Sequence, residues 1–138
     1  MKTKPLLIVL LVLAAIALFV NFRGEDTPQT KVFNCAEYVY EPTELVLYCA
    51  DAGQILQDIK WNDWSDSKAA GTATVTTNLC EPNCAAGNTE TTAVEVELLD
   101  PITVEGVLTF SKVQLTYEKV PGSRPNPELI EIATTPLS

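Results

Sequence analysis

Residues 6–20, LLIVLLVLAAIALFV, carry no polar atom in any side chain. A run like this enters a bilayer, is removed as a leader, or is buried as a core helix. A helix over residues 5–22 is about 27 Å long, nearly the thickness of a hydrocarbon core of roughly 30 Å. Lys2 and Lys4 stand ahead of it; Asn21, Arg23, Glu25 and Asp26 follow. Basic residues before an apolar helix favour a cytoplasmic N-terminus and an exported C-terminal part, although Arg23 counts slightly against that topology. Ala15 and Ala17 form a small-x-small pair suited to signal cleavage. Cleavage after Ala17 would leave Leu18, Phe19 and Val20 on the mature end, so an uncleaved transmembrane signal-anchor over residues 1–22 is favoured over a cleaved signal peptide. No Cys stands directly after the run, which leaves a lipid anchor without an acceptor. Both leading readings place the remainder outside the cytoplasm, on the cell membrane or secreted.

Residues 23–31, RGEDTPQTK, have no apolar side chain and read as a solvated polar linker. From residue 32 to 138 the apolar period is mostly two, the period of strands. Strands are expected over residues 32–40, 44–50, 71–77 (GTATVTT), 93–99 (AVEVELL), 104–109, 111–118 and 129–133. Val94, Val96 and Leu98 share one face and Glu95 and Glu97 the other; Val113, Leu115 and Tyr117 repeat the pattern. Pro101 is expected to interrupt pairing, and residues 121–127 (PGSRPNP) to form a loop. The stretch 55–64 is ambiguous, because Ile55 and Ile59 suit a helix face while Ile59 and Trp61 suit a strand face. Six or seven short strands with turn-rich joints predict an all-β domain, a small β-sandwich of Ig-like or partly closed barrel form.

All four cysteines, Cys35, Cys49, Cys80 and Cys84, lie beyond the apolar run. An even count in an exported domain predicts two disulfides. Three pairings exist; Cys35 with Cys49 and Cys80 with Cys84 is favoured, since the first pair lies on candidate strands around Pro42 and the second encloses a tight turn. The C-x3-C spacing differs from the zinc knuckle, and there is no C-x2-C ahead of a helix, so metal and dithiol redox chemistry are disfavoured. The chain contains no His, which excludes His-dependent triads and His-ligated metals. Beyond the apolar run stand 7 basic and 18 acidic side chains. Such a surface repels phosphate backbones, so no nucleic-acid partner is expected. Nucleophile elbows, phosphate-binding Gly-rich loops and N-x-S/T glycosylation acceptors are absent.

Trp61 and Trp64 with Asp58, Asp63 and Asp66 make the densest polar-aromatic stretch. If it coils, the two indoles share a face that stacks on a sugar or a peptide, and Tyr38, Tyr40 and Tyr48 extend it. In a domain of this size a Trp is more often a core plug with its N–H bonded. In a regular strand residues 61 and 64 point to opposite faces, so at most one is buried. Asp51, Asp58, Asp63 and Asp66 offer oxygen ligands for calcium, but their spacing is not that of an EF-hand loop. Asp51 before Ala52 and Gly53 more simply supplies a turn. Asn83 and Asn88, on the segment around the second cysteine pair, complete the candidate ligand-binding residues. A glycosidase pair of carboxylates is numerically available, but nothing nominates one.

These residues carry a resemblance. The pieces Pro42, Cys49-Ala50-Asp51, Trp61-Asn62-Asp63-Trp64, Ala69-Ala70-Gly71 and Asn78-Leu79-Cys80-Glu81-Pro82-Asn83-Cys84-Ala85-Ala86-Gly87 resemble a pattern of small exported actinobacterial proteins. That pattern reads Pro, C-x-D-G, W-x-x-W-G, A-x-G and N-x-C-x-P-x-C-A-x-G, and spans residues 35–117 here. The chain departs from it at Ala52, placed before Gly53, and at Ser65, where Gly is usual. The resemblance implies an exported domain and no assigned activity.

The sequence thus leads to a non-catalytic binding domain at the cell envelope, with residues 5–22 in the membrane. Its expected partners are an envelope protein, a cationic peptide or a glycan, met by loops at 58–68 and 78–90. The alternatives are a structural accessory subunit of a membrane complex and a carboxylate-dependent hydrolase.

Overall fold

The computed structural model describes residues 29–136. The apolar run, and with it the anchor-or-leader reading, lies outside the described residues. Among the described residues the chain is all strand and loop, and no helix is long and apolar enough to cross a membrane.

A short hairpin comes first: β1 (Val32–Asn34) pairs antiparallel with β2 (Glu37–Val39). Then follow β3 (Leu45–Val46), β4 (Gln54–Trp64), β5 (Ala69–Asn78), β6 (Thr89–Val104), β7 (Val107–Tyr117) and β8 (Glu128–Glu131). These six form one antiparallel sheet in sequential order. Each strand pairs with its neighbour in the chain, the arrangement that short connections favour.

The sheet is strongly curled. Gln54 on β4 donates from Nε2 to the Tyr117 hydroxyl on β7 at 2.8 Å, although β5 and β6 lie between them. At the other end Trp64 on β4 meets Phe110 on β7, with ring centroids 5.7 Å apart. The concave face holds the core, which includes Val32, Leu45, Leu56, Val75, Val96, Leu98, Phe110, Val113 and Leu115. Burial of each such side chain stabilises the fold by about 1.5–3 kcal/mol. The hairpin sits between the two edges of the sheet. Asn34 bonds the main chain of Glu44 and Val46, the Lys31 main chain bridges to Thr109 on β7, and the Tyr38 hydroxyl donates to the Thr134 carbonyl at 2.7 Å. Disulfides join Cys35 to Cys49 and Cys80 to Cys84, the favoured pairing.

Residues 32–40 form a hairpin instead of one strand, because the chain reverses at Cys35 and Ala36, where Cys35 takes a φ of 58°. Residues 44–50 contribute only a two-residue strand, since the chain then turns toward Cys49 and the Ala52 N–H bonds the Tyr48 carbonyl. Pro101 does not interrupt: β6 runs through it, and Pro101 pairs with Phe110. The pairing of β6 with β5 ends at Leu98, so Pro101 lies where β6 has become an edge and a missing N–H is harmless. Residues 104–109 are not a separate strand. They contain the two-residue turn Glu105-Gly106, both at positive φ, which joins β6 to β7. Thr30 and Lys31, expected in the linker, belong to the domain: Thr30 is fully buried and bonded to Asp66.

Candidate functional site

The expected site residues lie at two ends of the sheet. Trp61, Asp63, Trp64 and Asp66 lie at the β4–β5 turn, the end at which Thr30 enters. Asn83 and Asn88 lie on the β5–β6 connection, at the opposite end of β5. Ten residues of strand place these ends about 33 Å apart. The segments 58–68 and 78–90 therefore lie toward opposite ends of β5.

At the first end, β4 contains two bulges. Its register against β5 shifts between Gln57 and Lys60 and again between Trp61 and Asp63, and Asp58 takes a φ of 52°. Each bulge inserts one residue that β5 does not match. The inward set on β4 therefore becomes Leu56, Ile59, Trp61 and Trp64, opposite Val75, Gly71 and Ala69. This corrects the opposite-face expectation for the tryptophans. Their rings meet edge to face, with centroids 4.8 Å apart, and Tyr40 adds a third ring 5.1 Å from Trp64. Gly71 makes the second bulge possible, because a Cβ there would stand 2.4 Å from the Lys60 carbonyl oxygen.

Both indole N–H groups are bonded internally, Trp61 to the Pro42 carbonyl at 2.9 Å and Trp64 to the Thr30 carbonyl at 2.8 Å. Asp66 accepts from the Thr30 N–H at 3.2 Å and so holds the entering chain. Asp63 is exposed. Of the expected aromatic extension only Tyr40 joins the tryptophans; Tyr38 packs on Phe33. The four aspartates named for calcium are dispersed, with Asp51 bonding the Gly53 N–H in a turn before β4. No group of three or more His, Cys, Asp or Glu side chains suited to a metal forms among the described residues.

At the second end, Asn78 organises the disulfide loop. Its Oδ1 accepts from the Cys80 N–H and its Nδ2 donates to the Cys84 carbonyl, each at 2.9 Å. Gly87 fills the middle, where a Cβ would lie 2.3 Å from Asn78 Oδ1. Asn83 accepts from the Ala86 N–H, so its carbonyl is used to shape the loop. Asn88 is exposed, and its backbone carbonyl holds the Leu79 N–H.

Behind this loop lies a buried polar cluster that sequence reasoning missed. Gln54 is fully buried and donates to Thr77 at 3.1 Å and to Tyr117. The Tyr117 hydroxyl donates to Glu128 Oε2, and Arg124 Nη1 donates to Glu128 Oε1 at 2.6 Å. Glu128 is 7% exposed, and Gln54 Oε1 is buried without a partner. Burial, and then the bond to Glu128, push the Tyr117 phenol well above the usual tyrosine range. Burial works against the Arg124 charge, but its bond and attraction to Glu128 outweigh that and hold the guanidinium more firmly protonated. The signals were faint: Glu128 shares the inward parity of Ile130 and Ile132, and Arg124 is the one cation in PGSRPNP.

Two concavities adjoin these regions. An open trough of about 560 Å3 on the outer face is lined by Asp58, Lys60, Thr72, Thr74, Glu95 and Glu118. A cleft of about 390 Å3 lies between the disulfide loop and the proline loop, with Leu79, Glu81, Pro121, Ser123, Arg124 and Glu128 among its lining. Compared with known proteins, the chain matches no family model, no curated protein sequence and no solved structure.

Proposed function

We propose that this chain is a non-catalytic binding domain held on the outer side of the cell membrane through residues 5–22. The supporting observation is that all four cysteines are paired within the chain. Such pairing suits an oxidising compartment, which the apolar run behind Lys2 and Lys4 leads to independently. The domain itself is read as a partly closed barrel, in which the β1–β2 hairpin fills the gap between the sheet edges. Sequential strand order supports that reading over an Ig-like sandwich, whose Greek-key connections cross between two sheets. The kinship with small exported actinobacterial proteins belongs to the same proposal, as do partners of the envelope-protein, cationic-peptide or glycan kind.

Intact-mass measurement on protein from its native cells, before and after reduction, tests the location. Two disulfides add about 4 Da on reduction, two hydrogens for each bond broken, and an unshortened N-terminus marks the anchor. Four free thiols in gently extracted protein would remove the basis for export. Exchange of residues 5–22 for an unrelated anchor leaves binding intact under this reading. It abolishes function if the chain is instead an accessory subunit that assembles through that segment.

A further inference from the structure

The cleft between the two loops is a built site. Its walls are fixed from several directions: Cys80 is bonded to Cys84, Asn78 ties down that loop, and the Gly122 N–H bonds Glu90 at 3.3 Å. Asn126 replaces a strand partner for Tyr117, accepting from its N–H at 2.9 Å and donating to its carbonyl at 3.1 Å. Three prolines stiffen the second loop further. Walls held this firmly lose little freedom when a ligand enters.

The chemistry of the lining selects the ligand. Glu128 has one oxygen bonded to Arg124 and the other to Tyr117, so it orients the guanidinium. A guanidinium carries five N–H donors, more than the Glu128 oxygen and the neighbouring Tyr48 hydroxyl take up. The Arg124 side chain is 27% exposed, in the cleft it lines. Glu81 is exposed on the facing loop and forms no ion pair among the described residues. Leu79, Pro121 and Pro125 supply apolar walls. Arg124 calls for a carboxylate, whereas Glu81 and a net charge of −9 repel a simple anion. Both demands are met by one ligand class, a zwitterion.

We infer that this cleft binds a short peptide end, its terminal carboxylate on Arg124 and a basic side chain against Glu81. The inference rests on the binding reading above and narrows it to one surface and one chemistry. Isotope-labelled full-length chain is titrated with lysyl-alanyl-alanine and with its C-terminal amide, followed by amide chemical shifts. Shifts confined to residues 78–81 and 121–128 are expected at about 1 mM peptide, with affinity lowered about tenfold by amidation and by Arg124→Gln. Glu81→Gln, at an exposed position, weakens the lysyl peptide about threefold and leaves trialanine unchanged. Unfolding of Arg124→Gln would leave the amide and the Glu81→Gln arms decisive. Absence of shifts in the cleft, or equal affinity for acid and amide, overturns the site. Shifts gathered at Trp61, Trp64 and Tyr40 also overturn it, while leaving a binding domain that uses the other end.

Discussion

The two ends of the sheet solve the same problem differently. Each is an open mouth of a curled sheet that must be closed against water. At the β4–β5 end closure is aromatic: Trp61, Trp64, Tyr40 and Phe110 meet edge to face, and both indole N–H groups bond main-chain carbonyls. At the opposite end closure is polar: Gln54, Tyr117, Glu128 and Arg124 bond one another beneath two pinned loops. Aromatic closure contributes burial and ring contacts without charge. Polar closure gains little net stability, since desolvation offsets most of the attraction, but it leaves oriented donors facing a cleft. The tryptophans lie half-buried against the core, with both ring N–H groups bonded inside the domain. The polar cluster at the other end is assembled from residues scattered along the chain.

This contrast can be broken at either end. Trp64→Ala should destabilise the domain by about 3 kcal/mol, read from the midpoint of urea unfolding. A change below about 1 kcal/mol would mean the rings are displayed for a ligand after all. Loss of Cys35–Cys49, by paired Ser substitutions, comes next at about 3 kcal/mol in the chain-entropy picture, against about 2 kcal/mol for the shorter Cys80–Cys84 loop. If the second loss leaves the unfolding midpoint in place but scatters the amide signals of residues 78–88, that bond shapes the loop more than it stabilises the fold.

Glu128→Gln should cost about 2 kcal/mol, the scale of a hydrogen bond to a charged group. The same cluster has a signature at high pH. The Tyr117 phenol is raised in the folded state, so its contribution is fully present below the unfolded tyrosine value of about 10 and fades as pH climbs toward the folded value. Tyrosinate absorbance should therefore show one slow tyrosine that ionises together with unfolding, and Tyr117→Phe should delete that step. Smallest of all is Asp63→Asn, expected within about 0.5 kcal/mol because the side chain is exposed and has no partner among the described residues.

Much of the fold was legible because strands leave a period-two record. Val94, Val96 and Leu98, then Val113, Leu115 and Tyr117, alternate cleanly and face the core as expected. The disulfide pairing was legible for a similar reason, since each pair is close along the chain. The pattern failed at irregularities. A bulge adds one residue and reverses the parity of all that follows, so Trp64 moved to the face of Trp61. The Glu105-Gly106 turn lacks the Asn-Gly or Asp-Gly signal and passed unseen between two half-strands.

Local chemistry along the chain was enough to decide the all-β class, the inward residues of the regular strands, the loop at 121–127 and the oxidisable cysteine pairs. These are properties of neighbours, and neighbours are what a linear order preserves. The curl of the sheet was decided only in three dimensions, and the meeting of Gln54, Tyr117, Arg124 and Glu128 depends on it. Gln54 and Tyr117 are 63 positions apart and touch because the six-stranded sheet bends β4 and β7 toward each other. No periodicity records such a bend, because it arises from bulges and inter-strand twist summed over the whole sheet.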